Sequence, residues 1–190
     1  MIHPTNTLTM VRQGEPGFIT PGSPEHSAAI SPSKIAAIMG VSRWESPYRL
    51  WHRMKGITPP EPDKDDFTVG HAVEPMLAYL WRHEATNEGW QLSRGEVQYI
   101  ADASRFGFPF VCTLDRRARR GQLRRIVEFK SCRGWDEWGD DGTDEAPPDY
   151  VLQVIAQQLL TGFTAQPAHL KVLNKFGCHH HTYEIEFNQD

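Results

Sequence analysis

The apolar positions of this chain follow two periods. From about residue 66 to residue 87, Phe67, Gly70, Glu74, Leu77 and Trp81 recur at spacings of three and four, which lays them along one face of a helix. Glu74 falls inside that stripe, and a carboxylate there needs hydrogen bonds, a partner charge or a metal. A Glu at the edge of the stripe that reaches out to water fits the same pattern. Pro75 follows it, removes the backbone bond to His71 and is expected to kink the helix. Residues 107–115 and 123–132 instead read as strands, joined by an Arg-rich connection from Arg116 to Gln122 with Gly121 as the turn signal.

Capping residues frame three more helices. Ser31, Pro32 and Gly40 bracket 31–40, and Ser46, Pro47 and Gly56 bracket 46–56. Asp149 is a natural N-cap and Gly162 a natural stop for a helix over 149–162. Leu152, Ile155 and Leu159 would form its core stripe, with Gln153 and Gln157 one turn apart on an adjacent face. Residues 96–101 read as a further strand, and 170–176 with 182–187 as a closing hairpin. The fold class predicted is α/β, a central mixed sheet of 96–101, 107–115 and 123–132 flanked by helices.

The chemistry concentrates on the paired strands. Asp115 ends the first, and Glu128 and Lys130, on one face of the second, flank Phe129. Two acids and an ammonium on adjacent strands form the core of a Mg²⁺-dependent phosphodiesterase site, with the carboxylates as hard ligands and the lysine beside the attacking water. Alternating charges on the wet face of a sheet produce the same triplet. Gln153 would position a water or a phosphate oxygen without adding charge, or simply sit on a helix surface. The capped helix starts near Ser33 suit phosphate, or do no more than cap.

With 190 residues the chain is most simply one domain, 30–190, behind a Pro/Gly/Thr-rich segment, 1–29, expected to be an extended arm. A net charge of −4 does not announce a nucleic-acid binder. The distribution does more, since Arg116, Arg117, Arg119, Arg120, Arg124 and Arg125 cluster beside Asp115, to track phosphates or to solvate a hairpin tip. An acidic loop, 136–145, is expected to be mobile, with Trp135 and Trp138 either stacking on frayed bases or anchoring the loop. The three cysteines make no CxxC pair and fall short of the four ligands of a usual iron–sulfur cluster. The run Cys178-His179-His180-His181 looks like a metal box but sits at an expected hairpin tip. Neither a signal peptide nor a membrane-spanning run is visible, so the expected compartment is the cytoplasm of a bacterium or phage-infected host, with no membrane partner.

The ordered motifs Ser31-Pro-Ser-Lys through Tyr48-Arg-Leu-Trp51, Gly70-His-Ala-Val-Glu-Pro75, Thr113-Leu-Asp115, Glu128-Phe-Lys130 and Tyr150-x-x-Gln153 resemble the YqaJ/lambda-exonuclease family of phage-type recombination nucleases. That resemblance implies a restriction-endonuclease-like PD-(D/E)xK core. It also implies Mg²⁺-dependent (or Mn²⁺-dependent) 5′→3′ degradation of one strand of linear duplex DNA from its end, providing single strands for recombination. A ring-shaped trimer and a single-strand annealing protein as partner belong to the same expectation. By resemblance, Glu74, Asp115, Glu128 and the Phe129 carbonyl are the metal ligands. Lys130 is the catalytic lysine, Gln153 the orienting amide and Ser33 a phosphate contact. One departure stands out: His26 lies near the place of the Arg that grips the terminal 5′-phosphate in relatives, which implies weaker 5′-phosphate dependence. A superfamily endonuclease and a catalytically silent DNA-binding module remain the other readings.

Overall fold

The computed structural model describes residues 8–58, 65–101 and 107–188, for residues 65–67 the backbone only. Its strands are β1 Thr9–Arg12, β2 Gln91–Leu92, β3 Val97–Ala101, β4 Phe110–Leu114, β5 Arg116–Arg120, β6 Leu123–Cys132, β7 Ala168–Asn174 and β8 His180–Ile185. The helices are α1 Pro24–Ala28, α2 Ile35–Ile38, α3 Pro47–Met54, α4 Asp65–His83 and α5 Pro148–Thr161, with 3-10 turns at Pro32–Lys34 and Ala85–Asn87. Among the described residues no helix is long and apolar enough to cross a membrane.

The strands form two sheets. One has the order β1-β3-β4 and the other β2-β5-β6-β7-β8. In the second, β6 and β7 run parallel and the other pairs antiparallel, so it is mixed as expected. The expected single sheet divides because the chain bends at Asp115, between β4 in one sheet and β5 in the other. The supposed connection Arg116–Gln122 is therefore mostly strand, and only Gly121 and Gln122 turn the chain. Its arginines sit in a strand because each has a place to lie. Arg116 is buried over the Phe129 ring, Arg117 donates to the Tyr99 hydroxyl at 3.3 Å, and Arg120 and Arg125 flank Trp90.

The five-stranded sheet is covered on both faces. Leu77, Ala78 and Trp81 of α4 pack on Ala118, Val127, Phe129 and Leu173. The opposite face, with Ile126, Leu170 and Val172, meets Val154 of α5 together with Tyr99, Phe110, Cys112 and Leu114. The period-two pattern of β6 thus sends Phe129 toward α4 and Glu128 toward α5. The stripe of α4 is as expected at Leu77 and Trp81, although the helix stops at His83 and the Phe67 side chain lies outside the described residues.

Several local expectations change. The segment read as an extended arm is, over residues 8–29, part of the body: β1 pairs with β3, and Ile19 and Ala29 are buried. Residues 31–40 make a 3-10 turn and then α2, and the Ser31 hydroxyl bonds Ser33 rather than capping. In α5, Pro147 holds the N-cap position and Asp149 lies in the first turn, where its carboxylate accepts from Trp44 Nε1 at 3.1 Å and pairs with Arg43. The buried face of α5 is Val154, Gln157, Gln158 and Thr161, not the stripe through Leu159, which is 53 % exposed. The glutamines turn inward because strand groups meet them there; Gln158 Nε2 donates to the Ile185 carbonyl at 3.2 Å. The acidic loop is tied to β8 through Gly142 N–H to Thr182 O and Glu184 N–H to Thr143 O, with Trp135 stacked on His181. His180 bonds the buried Lys171 and His181 lies beside Tyr183, so neither joins Cys178 in a metal box.

Candidate active site

The site forms where the two sheets part. Asp115 stands at the bend, and its Oδ2 accepts the Phe129 backbone N–H at 2.7 Å, fastening the bend to β6. Glu128 is 2 % exposed and receives three donors: Lys130 Nζ and Gln153 Nε2 on Oε1, and Gln157 Nε2 on Oε2 at 2.9 Å. Asp115, Glu128, Lys130 and Gln153 are thereby gathered from β4–β5, β6 and α5. Tyr150, one turn before Gln153, sets its ring 5.7 Å from the Lys130 ammonium.

Glu74 approaches from α4. It lines an open cleft of about 270 Å³ with Gly70, His71, Val73, Leu77, Phe129, Lys130 and Ser131. Its hydrogen-bond partner is His71 on the same helix, at 3.2 Å. Burial and then the Glu128 charge push the Asp115 carboxyl well above the ordinary carboxylate range, and Glu74 adds to the push against Lys130. Burial alone would lower the Lys130 ammonium, but Glu128 and Asp115 outweigh it and hold it above its usual value.

Glu96 is the acid that sequence spacing missed. Burial, then Glu74, raises its carboxyl, and Glu128 contributes, so it belongs to the same electrostatic cluster. Nothing local marks it, since it precedes β3 and reaches the others only through the tertiary fold. Gln157, expected beside the core stripe of α5, lies instead wholly buried on the inner face of the helix, where it donates to Glu128.

Asp115 and Glu96, each pushed up by burial and by neighbouring carboxylate charge, form with Glu74 and Glu128 a set of hard oxygen donors that suits a small dication, whose charge would relieve the repulsion. Among the described residues no three acidic, histidine or cysteine side chains form a finished metal centre.

The phosphate-contact candidates lie at varied distance from solvent. Ser33, in a turn packed on α5 and β4, is exposed, while Arg116 is buried and Arg119 and Arg120 are exposed along β5. His26 sits on α1, which packs on α3, and its carbonyl accepts from the buried Lys34 ammonium at 3.0 Å. Burial, then Lys34 and Arg53, lower the His26 pKa.

The family model of the YqaJ-like viral recombinase domain matches residues 23–164. The chain belongs to this family. No curated protein matches the sequence. Among solved structures the chain is similar to LHK-Exo in complex with dAMP, with a TM-score of 0.58 and 16% identity over 85% of this chain and 78% of that one. It is also similar to the alkaline exonuclease LHK-Exo from Laribacter hongkongensis, with a TM-score of 0.52 and 15% identity over 83% and 78%. At such identities the likeness shows the fold, and that fold is the nuclease fold expected from the motifs. The matched family segment contains Ser33, Glu74, Asp115, Glu128, Lys130 and Gln153.

Proposed function

We propose that this chain is a Mg²⁺-dependent DNA exonuclease that degrades one strand of linear duplex DNA from its end, 5′→3′, and leaves single-stranded DNA for recombination. The observation that carries this is the convergence of Asp115, Glu128, Lys130 and Gln153 at the bend between the sheets, with Glu74 on the cleft that Lys130 also lines. Family membership supports it, and LHK-Exo, which shares the fold, is seen with dAMP.

Glu74, Asp115, Glu128 and the Phe129 carbonyl would hold Mg²⁺ or Mn²⁺, which when bound supplies Lewis-acid polarisation of the scissile phosphate and a more acidic water. The chain's own groups do the rest. Lys130, kept as an ammonium by Glu128 and Asp115, donates a hydrogen bond and offsets charge developing at phosphorus, so it is not a general base here. Gln153 shares Glu128 Oε1 with Lys130 and fixes the direction of both against the substrate oxygens. Ser33 and the exposed Arg119 and Arg120 would contact phosphates, with Arg116 and Arg117 supporting the strand beneath. A single domain is only about as wide as a duplex, so the same activity calls for a cyclic homo-oligomer, a trimer by resemblance, with a single-strand annealing protein as the receiver of product.

The deciding experiment compares end-labelled linear duplex with covalently closed DNA of the same sequence, with Mg²⁺ and with excess EDTA, and sizes the protein by light scattering. Mg²⁺-dependent loss of the linear substrate alone is expected. Cutting of closed circles would make the protein an endonuclease, and cleavage in EDTA would remove the metal from the reaction.

A further inference from the structure

Trp135 and Trp138, the rings expected to stack on frayed bases or to anchor their loop, pack against the core and against His181, Tyr150 and Tyr183. A different pair is turned outward. Tyr48 and Trp51 of α3 are 73 % and 52 % exposed. Both are braced from within the helix by His52, whose ring centroid lies 4.1 Å from that of Tyr48 and 4.8 Å from that of Trp51. His52 is itself tied down, with Nδ1 on the Tyr48 carbonyl at 2.9 Å. Two rings held this way lose little freedom when something stacks on them.

The charge around them has one sign. Residues 46–55 contain Arg49, Arg53 and Lys55 and no acid, although the chain as a whole carries −4. Arg53 is paired at 2.6 Å with Glu45, just ahead of the helix, while Arg49 and Lys55 are exposed. Trp51 and Lys55 also line an open groove of about 630 Å³, with Ile38, Leu50, Met54 and Phe108 on its apolar walls. That volume falls in the range of small-molecule sites, roughly 300–1,000 Å³, and suits a flat heterocycle. Lysine is depleted from the centre of protein interfaces, which argues against a protein in this groove. The residues before α3 join it to the candidate active site. Arg43 and Trp44 hold Asp149, and the ring of the next residue, Tyr150, lies 5.7 Å from the Lys130 ammonium.

We propose that α3 is a docking platform for single-stranded DNA, with Tyr48 and Trp51 stacking on unpaired bases and Arg49 and Lys55 contacting the phosphates between them. Duplex DNA hides the faces of its bases, so the platform selects unpaired strands. Stacking tolerates any base, as a nuclease that works through every sequence requires. The proposal rests on the nuclease function given above for the source of the strand, the one that degradation leaves, and not for the binding itself.

The test is fluorescence anisotropy of a labelled dT oligonucleotide, about 16 nucleotides long, with the full chain in EDTA, where metal-dependent cleavage does not interfere. Tyr48→Ala and Trp51→Ala should each weaken binding about tenfold, the loss of stacking on one base. Phe176→Ala, which removes an exposed ring from the turn between β7 and β8, should leave the affinity unchanged. An oligonucleotide of the same length with abasic sites throughout should bind wild type weakly and be indifferent to both α3 variants. Tyr48 is the more exposed ring, so its variant serves if Trp51→Ala does not fold. No binding of dT by wild type, equal affinity of the α3 variants, or abasic DNA bound as tightly as dT would overturn the proposal. A fall in mass by light scattering without loss of dT binding would overturn it too and assign the face to contacts between copies. Cleavage of linear duplex with Mg²⁺ is read separately. A chain that binds dT through α3 but does not cut would remove the nuclease function and keep the platform; one that cuts while its α3 variants bind dT unchanged would do the reverse.

Discussion

Acidification should destabilise this protein through His169. The ring lies on β7 at 1 % exposure, and its Nδ1 accepts the Trp81 indole N–H at 2.9 Å. Burial, then the Arg125 and Lys171 charges, lower its pKa to about 3, against about 6.5 in an unfolded chain. Between those values the unfolded chain takes up a proton that the folded chain refuses. The His169 contribution is therefore intact above pH ~6.5 and declines as pH falls, by about 1.4 kcal/mol per unit, until it levels off near the folded value. From about pH 7 to about pH 5 the loss is roughly 2 kcal/mol, a large share of a typical stability of about 5–15 kcal/mol. Asp115 works with the opposite sign, since its raised carboxyl takes up a proton more readily in the folded chain, so the raw pH curve mixes the two. The difference from His169→Gln, which keeps an acceptor for Trp81 but does not titrate in this range, isolates the histidine. Urea unfolding of both proteins without metal, at about pH 7 and about pH 5, should show the wild-type advantage shrinking by roughly 2 kcal/mol. A difference constant to within about 0.5 kcal/mol, the ordinary scatter of independent effects, would mean that the folded chain already carries the proton and that the burial argument is mistaken.

Two further outcomes follow from the site. Glu74→Gln should reduce cleavage by orders of magnitude while the melting temperature holds or rises, because the change removes charge that burdens Asp115 and Glu96 and costs only an exposed-side pair with His71; a destabilised variant that keeps its rate would make Glu74 structural. Since burial, Lys34 and Arg53 keep His26 neutral to lower pH than an ordinary histidine, degradation of 5′-phosphorylated and 5′-hydroxyl duplex should proceed alike at neutral pH. Preference for the phosphate should emerge only as pH falls below the ordinary histidine range and should appear at neutral pH in His26→Arg; a large preference in wild type that does not vary with pH would remove His26 from the phosphate site.

What the sequence disclosed and what it concealed divide along a physical line. Glu128 and Lys130 on one strand face, Glu74 in the stripe of α4 and Gln153 on α5 were legible because each depends on a local period, two for a strand or 3.6 for a helix. The Arg116–Arg120 strand was not. Four arginines in five residues read as a solvated connection until Trp90, Tyr99 and Phe129, distant in sequence, supply surfaces for guanidinium groups to lie on. The inner face of α5 was concealed for a related reason. An apolar stripe is the default for a helix on a sheet, but this helix covers a buried carboxylate and an open carbonyl, and amides meet those needs where leucines cannot.

The bend at Asp115 connects these departures. A strand that continued straight would have carried β4 and β5 into one sheet, with ladder bonds on both sides and no interior polar groups. Because the chain changes sheets there, the Phe129 N–H turns to the Asp115 carboxylate, and the Thr113 carbonyl to Gln157. Each substitute brings a polar side chain into the core, and these are the groups that surround Glu128. The interrupted pairing and the candidate active site are therefore one feature, which is why a sequence reading that drew a single sheet could name the acids yet could not see what holds them.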